Sequence, residues 1–256
     1  MILGIPLQTL LITVPLVFLS GLMDAIAGGG GLISLPAYLL AGVPAHQAVA
    51  TNKLSSTMGL TVSTGRYLGR GYVDRGLVLP TVILSVTGAA VGARLNLLIP
   101  EQVMEYFLVA VLPIIAFVVF KKRSLDETAP KPVSRTRQLT VAAVAALLLG
   151  MYDGFYGPGT GTFLLLVLTG PGGLDVRTAS GNVKVMNLSS NLGSLIVYLF
   201  SGQTIVPLGL ISGLAAILGQ YIGSGLVIKS GVRIVRPIVL VVLSLLLLRI
   251  LINLLG

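Results

Sequence analysis

Two acids, two lysines and a set of asparagines stand at matching places in the two halves of this chain, each set beside a glycine cluster. Asp24 precedes Gly28, Gly29, Gly30 and Gly31, and Asp153 precedes Gly157, Gly159 and Thr160. Further on, Asn52, Lys53, Ser55 and Ser56 in the first half answer to Asn182, Lys184, Asn187 and Ser190 in the second. This is no hydrolytic constellation, because HExxH, GxSxG and Walker A patterns are absent. The lack of cysteine excludes disulfides, thiolate nucleophiles and Cys-ligated metals, and the single His46 cannot build a His-rich metal site. No cofactor is expected. What these residue types can do is hold a small anion. Lysine supplies charge, asparagine and serine supply neutral donors, and the first N–H groups of a helix add more.

The elements that position these residues must work in lipid. With 55% hydrophobic and 10% charged residues and a mean hydropathy of +0.99, the chain cannot offer water a polar surface, so the bilayer is its expected solvent. A net charge of +9 would suggest nucleic acid for a soluble protein. In a membrane protein it reports orientation instead, and no nucleic-acid partner is expected.

The chain reads as two repeats. Residues 21–57 and 150–191 run the same course: apolar helix, acid, glycine cluster, short apolar piece, proline-containing loop, then a helix bearing Asn, Lys and Ser. Apolar segments are expected over 7–27, 32–41, 46–64, 77–99 and 103–120, and again over 139–152, 162–169, 176–201, 208–228 and 234–255. Gly88 and Gly92, a small-xxx-small face for close helix approach, recur as Gly219 and Gly223. The expected organisation is a transmembrane repeat over 1–120, a basic cytoplasmic linker over 121–137 and a second transmembrane repeat over 138–256. The first apolar run has no Lys or Arg before it and has an internal counterpart. It therefore reads as structural rather than as a signal peptide, with the mature chain beginning near Met1.

Basic loops set the orientation. Arg66, Arg70 and Arg75, the linker, and Lys229, Arg233 and Arg236 should all be cytoplasmic. Single crossings by each glycine-interrupted segment would put the last group outside. A hairpin over 138–169 that returns to the side it left places every basic loop inside and the loops at Gly42, Glu101 and Gly202 outside. The fold class is then an all-α polytopic membrane protein with two inverted repeats, each a glycine-broken helical hairpin plus three transmembrane helices. The segment 139–152 gives only about 21 Å of helix at 1.5 Å per residue, short of a hydrocarbon core of roughly 30 Å, so the hairpins are expected to dip rather than cross.

Irregular backbone at membrane depth must be buried in protein or line a wet cavity. The glycine tips with Asn52, Lys53, Ser56, Thr160, Asn182 and Asn187 are therefore the expected anion site. Packing alone is the plainer reading of the glycines. For the charges, the plainer reading is that Lys53 braces Asp24 and Lys184 braces Asp153. If instead substrate competes for the lysines, Asp24 or Asp153 could take up a coupling proton, since desolvation and an incoming anion both favour a protonated carboxyl. His46 reads as a surface residue in the loop after Pro44, Arg94 as a side chain reaching for the interface, and Asp175 with Arg177 as a loop pair.

These features resemble the TauE/SafE family of sulfite and organosulfonate permeases. The likeness is carried by Asp24 with Gly28 to Gly31, the short apolar piece with Gly42 and Pro44, and Ala50-Thr51-Asn52-Lys53, which is similar to the family's Gly-Thr-Asn-Lys run. It covers nearly the whole chain, including the two halves and the basic linker. Ala50 departs from the usual glycine, Ser180-Gly181-Asn182 stands where a Gly-Thr-Ser-like run is expected, and Lys184 lies outside the pattern. The resemblance implies a multi-pass protein of the cytoplasmic membrane that exports, or in some relatives imports, small sulfur-containing anions such as sulfite and sulfoacetate; a proton or sodium ion is a candidate coupling partner, and the sequence does not decide between them. A passive anion channel and an intramembrane enzyme resting on Asp24 and Asp153 are the competing classes.

Overall fold

The computed structural model describes residues 1, 3–104, 106–107 and 133–230, and its regular elements there are all α-helices. The expected segment over 234–255, most of that over 103–120 and most of the linker lie outside those residues. Helix α1 spans Leu7–Ala27, α2 Gly31–Leu40, α3 Ala45–Gly69 and α4 Arg75–Leu98. In the second half α5 spans Arg135–Phe155, α6 Thr160–Thr169, α7 Val176–Phe200 and α8 Val206–Ser230.

Helix limits follow local chemistry. Asp74 caps α4 by accepting from the Leu77 N–H at 3.1 Å, and Ser134 caps α5 by accepting from that of Arg137 at 3.3 Å. Asp175, rather than forming a loop pair, caps α7 by accepting from the Arg177 and Thr178 N–H groups, both at 3.0 Å. The α5 cap corrects one expectation. A helix of 21 residues is about 31 Å long, so the helix before the second glycine cluster is not short of the hydrocarbon thickness. The apolar run had understated it because the first turn, Arg135 to Gln138, is polar and the last extends past Asp153.

Among the described residues five helices are long and apolar enough to cross a membrane, namely α1, α4, α5, α7 and most of α8, while α2 and α6 are short and apolar. Helix α3 is as long as α7 but buries Thr51, Asn52, Lys53, Ser55 and Thr57. Its polar face meets protein, not lipid.

Packing interleaves the halves. The most extensive contacts are α4 with α5 and α1 with α8, followed by α3 with α8, α4 with α7, and α3 with α7. The glycine faces account for the closest approaches. A Cβ on Gly88 or Gly92 would run into the Leu147 and Met151 carbonyl oxygens of α5, and one on Gly219 or Gly223 into those of Phe18 and Leu22 of α1. Polar contacts tie the helix ends into two groups. Thr9 donates to the Ala41 carbonyl at 3.5 Å, and the Ile205 N–H donates to Thr51 at 3.1 Å. In the other group Arg137 donates to the Pro171 carbonyl at 3.2 Å, and Arg135 pairs with Asp74 at 3.0 Å.

His46 is not a surface residue. It is buried in the first turn of α3, with Nδ1 at 2.8 Å from Asn96 Oδ1, Nε2 at 3.0 Å from the Ile99 carbonyl and Glu101 Oε2 at 3.5 Å. Asn96 in turn donates to the Phe155 carbonyl at 2.8 Å, so the cluster anchors the end of α5. The partner that buries the imidazole lies fifty residues away in sequence, beyond the reach of a local reading.

Candidate functional site

Glycine stops α1. Gly28 adopts φ +73° and its N–H donates back to the Asp24 carbonyl at 3.0 Å, a left-handed end that suits a residue without Cβ. The second break runs through Gly157 at φ +103° and Gly159 at φ +82°. The two breaks touch. A Cβ on Gly28 would lie 2.6 Å from the Gly161 carbonyl carbon, and one on Gly31 would lie 3.0 Å from Pro158 Cα. Gly28→Ala should therefore destabilise the protein by about 2 kcal/mol or more, combining overpacking with a left-handed penalty. Gly42 has φ +79° and open space around it, so Gly42→Ala should show the backbone part alone. Thermal unfolding of the two variants in detergent separates the contact from the conformation.

The charges meet across the halves. Lys53 Nζ lies 3.0 Å from Asp153 Oδ1, with side chains 1% and 4% exposed, and Lys184 Nζ lies 3.4 Å from Asp24 Oδ2, with side chains 4% and 13% exposed. This corrects the bracing expectation, in which each lysine served the acid of its own half. The reason is packing: α3 and α7 lie against each other and against the opposite half's last described helix, which carries each lysine to the other half's glycine break. Lys184 also donates to the Asp24 backbone carbonyl, one of the last acceptors of α1.

The two carboxylates are held differently. Asp153 accepts from Ser190 at 2.7 Å and Asn191 at 3.1 Å in addition to Lys53. Asp24 accepts from Gln220 at 2.6 Å and, at 3.5 Å, from the Gly30 N–H beside the start of α2. A carboxylate of the chain itself thus already sits at the helix start expected to take an anion.

A cavity of about 30 Å³ lies between these groups, room for about two water molecules. Of the residues expected to form the site, Gly28, Gly30, Gly31, Asn52, Lys53, Ser56, Gly157 and Asn187 line it, together with Asp24 and Asp153. Gly29 packs toward the Met23 side chain, Gly159 precedes α6 as its N-cap, and Thr160 donates to the Gly157 carbonyl at 2.7 Å. Asn182 donates to the Thr178 carbonyl of its own helix at 2.8 Å, and Lys184 reaches Asp24 without lining the space. Gln220, Ser20 and Asn191 line the cavity as well. Gln220 had a usable sequence signal, being a lone amide in an apolar span beside Gly219. The second break is further closed by Tyr152, whose hydroxyl donates to the Pro158 carbonyl at 2.6 Å, and by Tyr198, which donates to that of Gly154 at 2.8 Å.

Among the described residues no group of three or more His, Asp or Glu side chains is placed to hold a metal ion. The arrangement is a polar chamber lined by Lys53, Asp24 and Asp153, with Lys184 reaching Asp24 from beside it, among helices long and apolar enough to span a membrane.

Comparison with known proteins gives the chain a family. The sequence model of the family described as sulfite exporter TauE/SafE matches residues 13–250. The chain is 36% identical over 225 residues to probable membrane transporter protein ORF9 of Sinorhizobium sp, covering 88% of this chain and 85% of that one. It is 33% identical over 239 residues to a probable membrane transporter protein of Haemophilus influenzae, covering 93% and 92%. With probable membrane transporter protein YfcA of Escherichia coli K12 it shares 32% identity over 229 residues, covering 88% and 82%. No solved structure matches the chain. Apolar helices of spanning length, a buried ionic chamber among them, and a family match across nearly the full sequence have one reading: this is a multi-pass membrane protein belonging to the TauE/SafE family of membrane transporters.

Proposed function

We propose that the protein is a secondary transporter that exports small sulfur-containing anions, sulfite, sulfoacetate or other organosulfonates, across the cytoplasmic membrane, driven by a proton or sodium gradient. The observation that carries this reading is the crossed pairing of Lys53 with Asp153 and Lys184 with Asp24 around one cavity between two glycine breaks. A lysine already neutralised in the resting protein can exchange its carboxylate for a substrate anion. The touching glycine tips are the parts that would separate to admit a substrate. The sulfur chemistry draws on the family description, sulfite exporter.

In this reading the chain is built from two inverted repeats, 1–120 and 138–256, joined by a cytoplasmic linker, and each glycine break is the tip of a hairpin. The Thr9 to Ala41 contact joins the two ends of the first hairpin, and the Arg137 to Pro171 contact joins those of the second. The second lies with Asp74 and the basic loop 66–75, while the first opens beside the Gly42 turn that leads to His46 and Glu101. Opposite openings would offer the same pair of tips to either side in turn.

Flux into proteoliposomes tests the function. Sulfite and sulfoacetate should show saturable transport driven by an imposed proton or sodium gradient, with chloride and nitrate far slower. Flux that neither saturates nor follows any gradient would make the protein a channel. The cysteine-free sequence makes topology accessible too. Single cysteines at Glu101 and Gly202 should react with an impermeant reagent from outside, and those at Arg70, Ser134 and Pro171 only from the cytoplasm; labelling of Pro171→Cys from outside would remove both hairpin and inverted repeat.

A further inference from the structure

We propose that, among the anions the chamber accepts, the preferred ones carry a hydrogen-bond donor of their own, a hydroxyl or ammonium group, that Gln220 receives it, and that sulfite and sulfoacetate, which lack such a donor, are held less tightly. The proposal rests on the reading of the chamber as an anion site. Gln220 is 2% exposed and lines the cavity from α8. Its Nε2 donates to Asp24 Oδ2 at 2.6 Å. An ionised carboxylate only accepts, so chemistry fixes the amide orientation: the NH2 group belongs to Asp24 and the carbonyl oxygen is left over. That oxygen, Oε1, is buried and has no hydrogen-bond partner among the described residues.

Buried acceptors are nearly always satisfied, and this one belongs to a residue that lines the chamber. Several of the protein's own donors there are committed elsewhere, Ser20 to the Gly30 carbonyl among them. Lys53 and Asn191 serve Asp153, and Ser56 serves Asn52. A metal cation is a poor complement, because Lys184 already places an ammonium on Asp24 and Lys53 lines the same space. A donor carried by the substrate satisfies Oε1 without adding a free cation. The chamber then reads a molecule with two ends, an anionic head toward Lys53 and a hydroxyl or ammonium toward Gln220. Sites built to hydrogen-bond a hydroxyl discriminate strongly against the analogue that lacks it, because their polar group is then left unpaired.

Two sulfonates of the same length and charge provide the test. In 1-propanesulfonate a methyl group replaces the hydroxyl of 2-hydroxyethanesulfonate, and both are ionised at every working pH. Equilibrium binding to the purified full chain should favour the hydroxy compound at least ~10-fold. The preference should collapse to within about twofold in Gln220→Met and in Gln220→Lys, the latter keeping a donor for Asp24 while removing the acceptor. Tight but equal binding of both sulfonates to the parent overturns the donor requirement alone. A preference that survives in both variants overturns the assignment to Gln220. A preference seen with sodium and lost when choline replaces it hands Oε1 to a metal ion and overturns the proposal as well. If neither sulfonate binds, the anion reading of the chamber falls with it.

Discussion

Replacing Lys53 with Met should lower stability by about 3–5 kcal/mol and abolish anion binding, because it strands a buried carboxylate rather than merely removing a ligand. Asp153 is 4% exposed and Lys53 is its only cationic partner within 4 Å among the described residues. Ser190 and Asn191 remain, but neutral donors do not balance a charge held out of water. Adding Asp153→Asn to Lys53→Met should recover most of the stability, since the stranded charge goes with the lysine. Binding should stay lost in the double variant, because the cation that faces the substrate is gone. Lys184→Met should cost less, since Asp24 is 13% exposed and keeps Gln220. Thermal unfolding in detergent and equilibrium binding of sulfite read the two effects separately. A Lys53→Met protein as stable as the parent would mean that Asp153 is not ionised in the fold, and the ion-pair account of the chamber would fail.

The chemistry of the chamber was more legible in the sequence than its wiring. Asp24, Lys53 and the glycines could be singled out because each is costly in a helix or in lipid, and that cost is visible one residue at a time. Partnership is not, since it depends on which helix lies opposite. The lysine nearest an acid along the chain is therefore a poor guide, and the pairs run between halves. The glycine faces at Gly88, Gly92, Gly219 and Gly223 were readable as packing surfaces because their spacing alone defines one side of a helix, and each meets backbone of the facing helix. Helix ends were harder. The start of α5 is set by the Ser134 cap and a polar first turn, neither of which registers in an apolar run. His46 misled because proline and an adjacent turn describe a loop, whereas its burial is decided by Asn96 of α4 and by Ile99 just past its end.

Asp24→Asn should leave anion exchange intact while uncoupling flux from the proton gradient, and Asp153→Asn should lose both together with stability. The sequence offers no ground for separating the two acids, which sit at equivalent places beside their glycine clusters. Their surroundings do. Asp153 is held by Lys53 at 3.0 Å, Ser190 at 2.7 Å and Asn191 at 3.1 Å, so a proton arriving there would cost the charge-assisted contact with Lys53 and weaken the other two. Asp24 is more exposed, its lysine stands off at 3.4 Å, and its contact with the Gly30 N–H is long at 3.5 Å. One strong partner remains, Gln220 at 2.6 Å, and an amide can serve a neutral carboxyl as well as a charged one. Protonating Asp24 would also release Lys184 and the Gly30 N–H, both held by its carboxylate in the resting fold. Asparagine imitates the protonated acid in shape and charge, so Asp24→Asn fixes that state permanently. Exchange of labelled sulfite between equal pools then continues, while an imposed proton gradient no longer accelerates net flux. In Asp153→Asn, Lys53 is the stranded charge, and the expected loss of about 3–5 kcal/mol shows as early unfolding in detergent. Retention of full proton dependence by Asp24→Asn would move the coupling group elsewhere. Loss of exchange in a stable, well-folded Asp24→Asn protein would make that carboxylate part of the substrate's own binding geometry instead.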